Sequence, residues 1–256
     1  MKSLTTRLGL PPSGLPGATV RELLQLVLGK FRWFRPERYG FAALDSPVDP
    51  EHVDYDRLVA AYEDLKALTV AGRTDKEFLL LVGTKEPDSS YSGALTWVTS
   101  ASMASKDSWR ARHLREVAEI MRLVNAPLGI SALDEDIEAK TQRWVRDDVG
   151  EVLTFTVRDY SEGLAGLFWR NFFGPPFTRM FGERLSSLPA PSKQDLGDGI
   201  ILVQPYELPT QAGTPEGVAA ERQLISQLGP ECFYDHERHL KPTRRPELPH
   251  LPPKPG

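Results

Sequence analysis

The chain has 256 residues, 40% hydrophobic and 26% charged, with a formal net charge of −4 and one cysteine, Cys232. That composition is globular rather than disordered, and a single thiol excludes both an intrachain disulfide and a multi-cysteine metal site. The acidic balance argues against a dedicated nucleic-acid binder, and no apolar run nears the roughly 20 residues that cross a bilayer, so a reducing, cytoplasmic setting without membrane contact is expected.

Residues 1–17 carry Lys2 and Arg7 but are cut up by Gly and Pro, and they read as a disordered lead-in without a signal-peptide core. Thr19 and Glu22 have capping-box spacing ahead of Val20, Leu23, Leu24, Val27 and Leu28, which predicts a helix ending at Gly29. Residues 39–44, bounded by Pro36 and Pro47, read as a strand. From Tyr55 to Val70 the apolar residues Leu58, Tyr62, Leu65 and Leu68 recur at helical spacing, with Gly72 as the stop. Strands follow at 77–83 and 94–101, joined by the turn-rich stretch 84–93. Ser108 is placed to cap a long helix with Leu114, Val117, Met121 and Val124 on one face, and 127–133 reads as a strand.

Over 18–134 the order is strand, helix, strand, strand, helix, strand, which predicts an α+β half with an antiparallel sheet covered by helices, ferredoxin-like (βαββαβ) in its order. A helical connector is expected over 135–150. A second α+β half, 151–237, reads as a repeat of that order, giving two ferredoxin-like halves without residue-level identity between them. Its elements are a strand at 151–159, an aromatic layer, a strand at 199–206, a helix opened by Thr214 and Pro215, and a last strand at 231–235. Residues 238–256 form a Pro-rich, basic, extended tail.

The aromatic layer stands out. Phe168 and Phe172 are four apart, as are Trp169 and Phe173, so the spacing predicts a helix from about Ser161 with two rows of rings on one side. Gly174 suits a left-handed cap, and Pro175 and Pro176 suit the first turn of a second helix carrying Phe177, Met180 and Phe181. With no polar group inside the stretch to orient a ligand, the rings read as core.

The search for chemistry is mostly negative: there is no glycine-rich phosphate loop, no nucleophile elbow and no dinucleotide fingerprint. Three loose patterns remain. Glu138 and Lys140 form an acid–lysine triplet of the kind that can hold a metal and polarise a phosphate, although a solvated helix paired through Asp136 and Lys140 explains the same letters. Asp235, His236 and His239 could offer metal ligands, but the H-E-x-x-H spacing is not met and Pro242 is close. Lys30 to Arg38 interleaves cations with Phe31, Trp33 and Phe34, as single-strand nucleic-acid binders do. These patterns carry the alternative readings, a metal-dependent phosphodiesterase or a nucleic-acid-binding protein.

The block GLFWRNFFGPPFTRMFGERLSSLPA, followed by QDLGDGIILVQPYELP, resembles the immunity protein 52 family of bacterial polymorphic toxin systems over residues 160–210. Trp169, Asn171, the Phe-Gly-Pro step and the Gly-Asp-Gly strand entry carry the resemblance. It implies a protein without catalytic residues, cofactor or metal, which binds and neutralises a toxin delivered between competing bacteria, as through type VI secretion. The partner so implied is a nuclease domain with a basic groove.

Charge is segregated along the chain in a way that fits such a partner. Two acidic segments, 45–64 and 134–151, are set against a basic remainder. The expected partner-binding residues are Asp45, Asp49, Glu51, Asp54 and Asp56 in the first, and Asp134, Glu135, Asp136 and Glu138 in the second. Complementary charge speeds encounter and sets partner choice.

Overall fold

The computed structural model describes residues 2–11, 14–84, 93–146, 148 and 150–248. It is α+β with antiparallel sheet covered by helices, as expected, and it divides into two compact units, 1–129 with 250–256 and 130–249. The turn expected over 84–93 lies largely outside the described residues.

The first unit opens on a strand, β1 (Ser3–Gly9), where a disordered lead-in was expected. Leu4, Thr6 and Leu8 are buried on one face, Thr5 is buried and Arg7 exposed on the other, and the whole segment pairs antiparallel with β6, from Ser3 opposite Ser100 to Gly9 opposite Ala94. Helix α1 (Gly17–Leu24) buries Val20, Leu23 and Leu24. It begins earlier than the Thr19 cap predicts, because the Pro16 carbonyl accepts from the Val20 amide at 3.0 Å. The helix then widens into a π-helical turn over Gln25–Lys30.

Strands β2 (Arg38–Gly40) and β3 (Ser46–Pro47) follow, then α2 (Tyr55–Leu65), β4 (Ala67–Ala71), β5 (Phe78–Val82), β6 (Ala94–Ser100), α3 (Asp107–Val124) and β7 (Leu128–Leu133), which crosses the boundary between the units. Helix α2 stops five residues short of the sequence reading. Lys66 turns into the left-handed conformation, and Ala67–Ala71, with two β-branched residues, continues as a strand buried at Ala67, Leu68, Val70 and Ala71. The order β1-β6-β5-β4-β2-β3, antiparallel at every step, replaces the ferredoxin-like order expected here. Helix α1 packs on α2 and α3, and Leu4, Leu8, Leu23, Tyr62, Leu81 and Ile120 are among the residues with 1% exposure or less.

The second unit holds α4 (Asp134–Thr141), a separate hairpin of β8 (Gln142–Arg146) and β9 (Glu151–Phe155), β10 (Arg170–Phe173), α5 (Pro175–Phe181), α6 (Glu183–Ser186), β11 (Lys193–Asp195), β12 (Ile201–Val203) and α7 (Pro215–Leu228). The connector is therefore half helix and half strand, since Gln142-Arg143-Trp144-Val145-Arg146 changes to two-residue alternation. Strands β11, β12 and β10 lie side by side in that order, antiparallel at each step, with β10 next to β7. This is not the element order of the first unit.

The aromatic stretch departs most from its periodicity. In place of a helix from Ser161 there is a single 3-10 turn, Tyr160–Glu162, an irregular segment, and then β10, whose four residues are all buried. A run covered on both sides has no polar face, so spacing of four cannot separate helix from strand. Gly174 caps the next helix from an extended backbone rather than a left-handed one, and Pro175 and Pro176 fill the first turn of α5 as expected. Trp169, Phe172, Phe173, Phe177 and Phe181 are buried, and burial of such side chains is worth about 2–3 kcal/mol each.

No strand forms at 231–235. That segment is a 3-10 turn, Pro230–Cys232, followed by isolated bridges from Phe233 to Leu164 and from Asp235 to Leu240. The start of the expected extended tail is packed: Lys241 pairs with Glu162 at 2.9 Å, the Thr243 and Arg244 amides donate to the Glu231 carbonyl, and Pro242 is buried. Gly163, at φ +109°, exists for this contact, since a Cβ there would overlap the Pro242 ring.

Candidate functional site

In the first unit, two segments singled out by sequence face one another. Arg32, Phe34, Arg35 and Pro36 of the first and Pro50, Glu51, His52, Val53 and Tyr55 around the second line a cleft of about 660 Å³, in which Glu51 is the one acidic residue. Arg35 pairs with Glu51 at 3.1 Å. Arg32 takes a left-handed backbone, φ 51°, and its guanidinium rests on the Gly29 carbonyl at 3.4 Å.

The fold uses most of the remaining cation and aromatic letters here. Lys30 pairs with Glu119, and Arg38 with Asp75 at 2.9 Å. Trp33 stacks on Trp97 with centroids 3.8 Å apart and planes 7° apart, and its indole donates to Glu116 at 2.9 Å. Burial pushes the Glu116 carboxyl above its usual range, with the indole hydrogen bond opposing. A stacked base would have to displace contacts that already hold the ring.

The acidic segment is exposed but partly spent. Asp49 accepts from the Glu51 amide at 2.9 Å, which holds its carboxyl below the usual range, and it lies 3.3 Å from His52. Asp54 caps α2 by accepting from the Arg57 amide, and Asp56 pairs with Arg21. Asp45 and Asp64 are exposed and make no ion pair among the described residues.

The second acidic segment belongs to the other unit. Asp134, Glu135 and Asp136 occupy the first turn of α4, where the helix dipole favours them. Glu135 and Glu138 face solvent, but Asp136 is buried. It pairs with Lys140 at 2.8 Å, so the i,i+4 pair expected on a solvated face is instead enclosed.

Lys140 also pairs with Glu221 at 2.8 Å and donates to the Leu167 carbonyl at 2.6 Å, so its three hydrogens have three acceptors. The Tyr206 hydroxyl donates to Glu221 at 2.9 Å, and the Phe168 ring lies 5.1 Å from the ammonium. Burial raises the carboxyls of Asp136 and Glu221, with Lys140 pulling both back down, and burial then Glu221 raise the Tyr206 phenol. Asp136 Oδ2 has no hydrogen-bond partner.

Glu221 and Tyr206 were missed by sequence reasoning. One signal was available: Glu221 sits on the buried stripe of α7 with Gly217, Leu224 and Leu228, where a carboxylate requires a cation.

The other metal-like pattern disperses. His236 Nε2 contacts the Ala165 carbonyl at 2.7 Å, Asp235 Oδ1 accepts from the Glu237 and Arg238 amides, and His239 has a left-handed backbone. Among the described residues no group of three or more His, Cys, Asp or Glu is placed to hold a metal ion. Cys232 is buried, which pushes its thiol up to about 11, away from nucleophilic use. No described helix is long and apolar enough to cross a membrane.

In the family-like block the polar residues are structural. Asn171 donates to the Phe168 and Val203 carbonyls at 2.8 and 3.0 Å and accepts from the Phe168 amide at 3.0 Å, and the Trp169 indole donates to the Glu207 carbonyl at 2.8 Å. They lock β10 onto β12 and close the irregular approach to it.

The fold has a solved counterpart. A T6SS protein of Pseudomonas aeruginosa, PA0821, superposes with a TM-score of 0.58 over 94% of this chain and 78% of its own, at 10% identity. At that identity the likeness is one of fold. No protein-family model matches the chain, and no curated protein matches it.

Proposed function

We propose that the chain is an immunity protein of an interbacterial, type VI-linked secretion system, which neutralises a cognate toxin in the cytoplasm by stoichiometric binding and without catalysis. The observation that carries this reading is the coincidence of two independent likenesses: the 160–210 block resembles immunity protein 52, and the whole fold is similar to a T6SS protein. The partner we favour is a nuclease domain with a basic groove, met in the first unit by the exposed acids that make no ion pair among the described residues, Asp45 and Asp64.

The test is co-expression. Cells producing the toxin domain encoded beside this gene should survive when the chain is present, and the two proteins should purify together at one to one. Death despite soluble expression, for every toxin candidate in the neighbourhood, would falsify the reading.

A further inference from the structure

The β8–β9 hairpin carries an apolar face that nothing in its own unit covers. Trp144 is 67% exposed, Phe155 55% and Leu153 41%. In the ladder Trp144 stands opposite Leu153, Gln142 opposite Phe155 and Arg146 opposite Glu151, so alternation puts all six residues on one face. The other face is anchored at Arg143, which donates to the Tyr234 hydroxyl at 3.0 Å, and leaves a single large apolar side chain open, Val152 at 46%. At the root, the Thr156 amide and hydroxyl bond the Thr141 and Lys140 carbonyls at 2.9 and 2.8 Å. The exposed side is therefore fixed in orientation, and a lone two-stranded hairpin showing three large apolar side chains gains from being covered.

We infer that this face is covered by the same face of a second copy of the chain, across a two-fold axis running along the strands. The register selects that occupant. Such an axis lays β8 of one copy over β9 of the other while keeping the position along the strand. Trp144 then meets Leu153 of the second copy, Gln142 meets Phe155, and Arg146 meets Glu151, with every contact made twice. Large lies on smaller, and plus lies on minus. A basic groove would gain from Glu151 but would be opposed by Arg146, so the mixed rim fits a copy of itself better than the proposed toxin. The inference needs only this chain and does not rest on the immunity reading.

Sedimentation velocity of the full chain across a dilution series tests it. The wild type should be a dimer at high concentration and dissociate on dilution. Arg146→Glu alone and Glu151→Arg alone each place like charges together at two symmetric contacts, and each should weaken the dimer by about tenfold. The double exchange R146E/E151R should restore it to within about twofold, because complementarity returns with reversed sign. Trp144→Ser with Leu153→Ser should give a monomer whose circular dichroism is unchanged. A wild type that stays monomeric at the highest concentration it tolerates overturns the inference. So does a dimer indifferent to these variants, a double exchange as weak as the singles, or a monomer whose hairpin amides become protected only when toxin is added.

Discussion

Removing the Lys140 ammonium would leave Asp136 and Glu221 as two enclosed acids with no cation between them. Breaking a buried ion pair from one side is expensive, so Lys140→Met should lower the free energy of unfolding by about 3–5 kcal/mol, read as a drop in the urea midpoint. Replacing both acids as well (D136N/K140M/E221Q) should recover most of that loss. The same cluster makes stability depend on pH. Burial raises the Glu221 carboxyl above the ordinary glutamate value of 4.5, so the folded chain holds this proton at pH values where the unfolded chain has released it. The associated stabilisation is complete below that value and drains away as pH climbs through the raised folded pKa. Glu221→Gln cannot titrate, so it should gain on the wild type as pH rises above 4.5, and thermal melts from acid to neutral should diverge in its favour.

Helix α7 shows how far an element could be anticipated. Thr214, Pro215 and the apolar stripe predict its start and its face, and the Thr214 hydroxyl does accept from the Gly217 amide at 3.1 Å. Thr214→Ala should therefore cost about 1 kcal/mol. Gly217 runs against helix propensity. Alanine there would ordinarily stabilise, but a Cβ would overlap the Gln211 carbonyl, so Gly217→Ala should lower the melting temperature. A Tm equal to or above the wild type would count against that packing. Elements with one wet face, such as α2 and α3, were legible because most of their polar and apolar residues sort by period, His113 and Glu116 of α3 being buried exceptions. The aromatic β10 was not, because a strand buried on both sides has nothing to sort. The Lys140 cluster was half legible: Asp136 and Lys140 are neighbours on one helix, while Glu221 reaches them across 81 residues of sequence.

For the molecule as a whole, the relevant charge is what the fold leaves unspent. Asp49, Glu51, Asp54 and Asp56 are engaged in local pairing and capping, so reversing them would disturb the first unit as well as any partner. In the first unit Asp45 and Asp64 are exposed and make no ion pair among the described residues, which makes them the informative pair. With both changed to Lys, association with the proposed basic toxin should slow on the order of tenfold at low salt, and the salt dependence of the on-rate should flatten. Stopped-flow binding across ionic strengths reads both, and an unaltered rate would remove these residues from the docking face.

The long separation between β1 and its ladder partner matters during synthesis. Ser3–Gly9 leaves the ribosome some 90 residues before its ladder partner, Ala94–Ser100. Until then its buried leucines, Leu4 and Leu8, have no sheet to rest on, and the nascent chain carries an open β-edge that a neighbouring polysome could capture.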